Sequence, residues 1–364
     1  MDDPPKHRIL TLLNTLQEAS KHLHTSPFSF LFRTHSRAAI DTLLDLEAKA
    51  HAAFSADSTL RNLSHILSSL RTLIQKLDKY HGYAPQSLLR RHVTNYKISH
   101  LARAIHSEAQ SYIDRATVRD LVDALQEPSC EEEQQVKALH EFQQRLSQGF
   151  DLGFQDLVLR AKVFTLLECA LCEETSSKRV KEEAAMAIAE LVTFNKNVFV
   201  GLVLMGPTIR ALIAMPSACS VRVLTSLIKF VRSPLVDEIL CSGEIPTIVG
   251  LLRSRDLGLR VAALDCILEL GYIGRREVVD SMLQVGLVGI LMDLQRGGCC
   301  ESDCDFAFAT CVSRFAIQVE VGEGLSPEEK REVKLEILKS VEEASESEAE
   351  FATVSAEILW GSSP

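Results

Sequence analysis

Two apolar motifs alternate along the last two thirds of this chain with a common period, and that constrains its fold more than any other feature. The first is clearest in Gly243-Glu244-Ile245-Pro246-Thr247-Ile248-Val249-Gly250-Leu251-Leu252 and Gly206-Pro207-Thr208-Ile209-Arg210-Ala211-Leu212-Ile213; Pro207 to Pro246 is 39 residues, as is Ile209 to Ile248. Weaker copies are Leu121–Leu125, Leu166-Leu167 and Ile290–Leu294. The second motif is best in Ala184-Ala185-Met186-Ala187-Ile188-Ala189-Glu190-Leu191. It recurs in Gln135–Phe142, Val223–Phe230 and Ala263–Leu270, with Phe306–Ser313 a weaker fifth. Two patterns in phase at a period of about 40 residues predict a helical solenoid. No single unit buries its apolar face alone, so stacking supplies the core, and Ala138, Ala184, Ala187 and Ser226 let helices approach closely.

The first 115 residues are different. They carry 15 Lys+Arg and 10 Asp+Glu, ten of the eleven His and one glycine, Gly82, whereas the remainder carries 24 and 39. A break this sharp predicts a domain boundary near residue 115. Leu60, Leu63, Ile66, Leu67, Leu70, Leu73, Ile74 and Leu77 form one stripe of a 3.6-period helix that Gly82 ends. Ile9, Leu12, Leu13 and Leu16 make a shorter stripe, Ala39 to Leu46 a helix after Pro27, and Leu88 to Ile105 a fourth from Pro85 to about Arg115. The expectation is an all-α chain: an N-terminal helical, four-helix-like bundle over 1–115, a solenoid over 116–318, and C-terminal acidic capping helices or tail over 319–364.

The repeats resemble a family. Gly243–Leu252 and Ala184–Val192 look like the second and third helices of the armadillo repeat, and some five units cover about 116–318. A helical bundle before armadillo repeats is also similar to plant U-box armadillo proteins. No segment has room for the U-box, since Arg115 leads directly into the first repeat, so ligase activity is not implied. The resemblance implies a groove lined by third helices that holds an extended protein segment. Well-known members place an Asn in each third helix; the matching positions here are Glu141, Glu190, Lys229 and Glu269. By helical spacing Lys137, Met186, Thr225 and Asp265 lie before them, and Gln144, Thr193, Arg232 and Tyr272 after them, on one face. The only Trp is Trp360, so tryptophans of the importin type are missing as well.

Four further features bear on function. A net charge of −10 argues against non-specific nucleic-acid binding. Arg90, Arg91, Lys97 and Arg103 on the fourth helix could form an anionic docking surface for peripheral membrane contact, although a solvated polar face is the simpler reading. Val198 to Met215 is the most apolar stretch, but Gly206-Pro207 and Arg210 interrupt it, so no transmembrane segment is expected. Ten Cys without a signal-peptide core read as reduced thiols in the cytoplasm or nucleus, with Cys169-Ala170-Leu171-Cys172 and Cys299–Cys304 more structural than metal-binding.

Residues 320–350 hold 11 Glu and four Lys+Arg, with Val333, Ile337, Leu338 and Val341 at helical spacing. No phosphate loop, nucleophile elbow or metal box is present, so neither cofactor nor metal is expected. The resulting expectation is a non-enzymatic protein–protein interaction scaffold or adaptor whose partner, including a basic segment, lies in the groove. The alternatives are a substrate-receptor or regulatory component of ubiquitin ligation and a membrane-recruited signalling protein.

Overall fold

The structure, a computed structural model, describes residues 5–25, 60–79, 85–127, 130–297 and 305–360. Those residues are helical, with no strand among them. Contacts between Cα atoms divide the chain into two units, one of 1–120 with 151–161 and one of 121–150 with 162–364.

In the first unit three described helices share a core. They are α1 (Pro5–Thr25), α2 (Arg61–Lys79) and α3 (Pro85–Gln126). Leu13 and Leu16 meet Leu63, Leu67, Leu70 and Ile74 and the small-residue stripe Ile98, Ala102, Ile105, Ala109, all buried. Three- and four-residue spacing on each helix puts those side chains on one face. Polar side chains at the margin are paired: Asn62 Nδ2 donates to Glu108 Oε1 at 2.7 Å, and Gln110 accepts from Gln17 and donates to Asp114. The expected helix at Ala39 to Leu46 lies outside the described residues, as does the Gly82 stop. α3 runs past Arg115 to Gln126, because no Gly or Pro stands between Pro85 and Pro128 to end it. Leu121–Leu125 is therefore the end of that helix and not a separate one. The helix α5 (Leu152–Arg160), capped by Asp151 through the Phe154 N–H, also belongs to the first unit.

The second unit is an α-solenoid. Its third helices are α4 (Glu132–Ser147), α7 (Lys178–Phe194), α10 (Ala218–Val231), α13 (Leu257–Ile273) and α17 (Cys311–Val321). Each packs on the next, and α17 packs on α19 (Glu348–Trp360), so six helices form one layer. The other layer carries the shorter helices. These are α6 (Val163–Cys172), α8 (Lys196–Met205), α9 (Thr208–Ala214), α11 (Ser233–Cys241), α12 (Ile245–Gly250), α14 (Arg276–Gln284) and α15 (Leu287–Gly297). Polar caps fix where third helices start: Ser177 accepts from the Val180 N–H, Ser217 from that of Cys219 and Asp256 from that of Gly258.

The apolar run Val198 to Met215 is the pair α8 and α9, bent by 65° at Gly206-Pro207, with Phe199, Val203, Ile209 and Leu212 buried in the repeat core. No single described helix is long and apolar enough to cross a membrane. The fifth copy of the third-helix motif differs from expectation. Phe306–Ser313 is broken at Thr310, whose left-handed φ of 52° separates α16 (Asp305–Phe308) from α17. The rung is carried instead by Val312, Phe315 and Val319, and Phe315 presses on Gly271 of α13, where a Cβ would come within 3.0 Å of its ring.

The array ends in the helical hairpin of α18 (Pro327–Ala344) and α19. A capping box starts α18: the Ser326 hydroxyl accepts from the Glu329 N–H, and the Glu329 carboxylate accepts from the Ser326 N–H at 2.8 Å. That backbone donor, with the Ser326 hydroxyl, holds the Glu329 carboxyl below the usual range. Val333, Ile337 and Val341 bury one face against the preceding unit. Two arginines secure the hairpin. Arg276 bridges Asp280, Glu332 and Glu336; Arg296 meets Glu350 at 2.7 Å and donates to the Ala344 carbonyl. The loop before α18 crosses the end of α13 backbone to backbone: the Glu323 N–H donates to the Tyr272 carbonyl at 2.8 Å. Gly322 and Gly324 lie there against the backbone of Tyr272, Ile273 and Gly274, with no room for a Cβ.

Candidate binding face

Burial fixes which side of each third helix is open. On α7, Val180, Ala184, Ala187, Ile188 and Leu191 are buried; on α13, Leu259, Ala263, Cys266, Ile267 and Leu270 take the same places. On α10 those places belong to Leu224, Leu227, Ile228 and Val231. The third helix of that repeat is thus read one residue later than its sequence match to Ala184–Leu191 implies. Matching by residue size misaligned it, because Ser226 resembles Ala187 in volume, while the larger Leu227 occupies the buried slot.

The shift moves three of the expected groove residues, Thr225, Lys229 and Arg232, out of their matched positions. Thr225 is buried, its hydroxyl donating to the Val221 carbonyl at 2.8 Å and contacting Cys266; Ser226 is exposed in its place. Ser226 therefore does not mediate close helix packing. The position matching Glu190 and Glu269 is Phe230, which is 38% exposed, with Lys229 beside it. Sequence reasoning missed Phe230 at this position; a count of apolar positions back from the Ser233-Pro234 helix start would have exposed the slip.

The remaining residues of the face are ordered by ion pairs. Glu141, at 48% side-chain exposure, lies 3.9 Å from Lys137 on the same helix. Lys229 and Glu269, on neighbouring helices, are 3.8 Å apart. Asp265 is 3.9 Å from Arg314. Arg232 and the Tyr272 hydroxyl both donate to the Glu323 carboxylate. Glu190 and Met186 are half-buried, and Glu190 makes no ion pair among the described residues. At the end of the rungs the Phe194 and Phe150 rings meet at a 42° tilt with centres 5.4 Å apart, and the Lys196 ammonium sits 5.3 Å over the Phe230 ring. The structure therefore brings Glu141, Glu190, Lys229, Asp265 and Glu269 onto one open face, but pairs three of the four carboxylates with a cation.

Arg90, Lys97 and Arg103 are exposed on α3, and the side chain of Arg91 is outside the described set. At roughly 100° per residue, Arg90 and Lys97 share a face and Arg103 lies about a third of a turn away. Cys169 and Cys172 are exposed, contrary to their placement in an apolar run; burial, with Glu168 next, pushes the Cys172 thiol up. Cys311 is buried, its Sγ 3.2 Å from the Leu291 carbonyl oxygen, and Cys299–Cys304 lies outside the described residues. No group of three or more potential metal ligands occurs among the described residues.

No family model matches the chain, and no curated protein matches it. Designed and engineered proteins are among the solved structures similar to it. A designed armadillo repeat protein shares 16% identity over 68% of this chain and 99% of its own, with a TM-score of 0.46. A second, solved with the peptide (KR)4, shares 17% over 68% and 98%, TM-score 0.47. An engineered protein shares 15% over 95% of this chain and 78% of its own, TM-score 0.48.

Proposed function

We propose that the chain is a non-enzymatic scaffold that takes a partner's extended segment on the open face of α4, α7, α10 and α13, and that the segment carries Lys or Arg. The observation that supports this reading most is the row Glu141, Glu190 and Glu269 on α4, α7 and α13 of one stack, where Glu190 has no cation of its own among the described residues. Carboxylates repeated at the spacing of packed helices, about 8–10 Å, suit basic side chains repeated along an extended chain. Phe230 interrupts the row and offers an apolar or cation-stacking contact in the third position. Seven described cysteines are free thiols, which fits work in the reducing cytoplasm or nucleus.

The test is the triple change Glu141→Ala, Glu190→Ala, Glu269→Ala in the full chain, titrated with a fluorescent peptide of alternating Lys and apolar residues. Each exposed contact is worth about 0.2–1 kcal/mol, so together the three should weaken binding by roughly 3- to 100-fold and flatten its salt dependence. Unchanged affinity and salt slope with an intact melt would overturn the reading.

A further inference from the structure

Near the start of α7, an open cavity of about 660 Å³ lies between the end of α6, the first turn of α7 and α9. One wall is apolar, with Leu171, Met215 and Pro216; the rim carries Lys178, Lys181 and Arg210. Three cations around one depression run against their setting, since residues 116–364 carry 24 Lys+Arg against 39 Asp+Glu. The nearby carboxylates pair with only one of them, Lys178. Glu168 accepts from the Thr208 hydroxyl at 2.5 Å, and Glu182 accepts from the Ser217 hydroxyl and lies 3.9 Å from Lys178. Lys181 and Arg210 have neither hydrogen bond nor ion pair to a side chain among the described residues, and Lys181 is half-buried. The covered part of Lys181 is compatible with its aliphatic stem lying along the apolar wall, which leaves the ammonium at the rim with no side-chain carboxylate of its own among the described residues.

We propose that this cavity binds a small amphiphilic anion: one carboxylate or phosphate-monoester head between Lys181 and Arg210, with an apolar body against Leu171 and Met215. The volume falls in the range of roughly 300–1,000 Å³ that takes small organic ligands. None of the lining residues is a large exposed hydrophobic, so the site has no apolar apron of the kind a protein interface needs, about 800 Å² per partner. Head and body are both required. Charge alone would leave the apolar wall wet, and an apolar body alone would leave both cations unpaired.

The test uses the full chain and four probes below their micelle-forming concentrations: octanoate, octyl phosphate, inorganic phosphate and octanol. Binding is read by ligand-observed NMR and by peptide-resolved alkylation, because Cys172 lines the cavity while the exposed Cys241 does not and serves as the internal control. The expected result is that octanoate or octyl phosphate slows alkylation of Cys172 relative to Cys241 by at least threefold; the stronger of the two identifies the head group. Inorganic phosphate and octanol should protect at least tenfold less at equal concentration. Lys181→Ala with Arg210→Ala should weaken binding at least tenfold without changing the melt, and Ala214→Trp should block it by filling the cavity. Equal protection by octanol or by inorganic phosphate, protection by none, or protection that survives both variants would overturn the proposal. Each of these outcomes is independent of the peptide titration, since none of the lining residues is Glu141, Glu190 or Glu269.

Discussion

Replacing Arg296 by Met should loosen the C-terminal hairpin, and the structure supplies the size of the effect. Arg296 is about three-quarters buried and makes two bonds to Glu350, at 2.7 and 3.2 Å, and one to the Ala344 carbonyl. Its contacts to Asp293 and Glu346 involve carboxylates that are 76% and 77% exposed, and these add close to nothing. A charge-assisted hydrogen bond is worth about 1.5–3 kcal/mol when removal leaves its partner unsatisfied. Screening by the remaining exposure halves that for each of the three, and Met retains the packing of the aliphatic stem, so the loss should be about 2–4 kcal/mol.

The pH dependence gives a second handle. The hydrogen bond from Arg296, followed by the Glu346 N–H, holds the Glu350 carboxyl below its usual range. A depressed carboxyl contributes stability that is complete above its unfolded pKa, about 4.3, and is lost as pH falls through the folded value. The parent should therefore lose hairpin stability below about pH 4.3 more steeply than Arg296→Met, and the two should converge in acid. Native-state hydrogen exchange over 327–360 reads the hairpin directly, which a global melt of a repeat array does not. A loss under 0.5 kcal/mol at pH 7, or an acid dependence identical in both proteins, would refute the reasoning.

Two further outcomes follow from burial. Ser226→Lys should melt within about 0.5 kcal/mol of the parent, whereas Thr225→Lys places an ammonium beside Cys266 and should cost about 3 kcal/mol or more; equal urea midpoints would mean that position 225 faces outward after all. Burial pushes the thiols of Cys266 and Cys311 up to about 12, so both should resist maleimide in the native protein at pH 8 while Cys169 and Cys241 react; labelling of Cys266 at the rate of Cys241 would contradict its place in the core.

The solenoid was legible in the sequence because its core is periodic: the same few apolar positions recur wherever one third helix meets the next. Helix starts at Ser177, Ser217 and Asp256 were legible for a local reason, a short polar side chain just before an apolar run. What failed was an inference that used side-chain size in place of helix geometry. The charge break near residue 115 falls inside α3, close to the division between the two units at 120–121. Thr225 went to the wrong face because a one-residue slip turns a side chain by roughly 100° yet leaves most apolar matches intact. The neutralisation of Asp265 and Glu141 and the cavity around Lys181 and Arg210 depend on rotamers and on contacts between repeats, which no residue spacing encodes.

The backbone crossing at Gly322 and Gly324 bears on how such a chain could lengthen. Solenoids grow by duplicating a rung, and a copied rung is accepted where its neighbour offers a generic row of side chains. After α13 the neighbour instead offers bare backbone, and only a segment with glycines at those two positions can lie across Tyr272 and Gly274. An extra repeat inserted between α13 and α17 would have to bring its own glycine pair in register, or separate the loop from its seat. Additional rungs between α7 and α13 meet no such requirement, so variation in repeat number among relatives of this chain should fall there, with the terminal hairpin carried along unchanged.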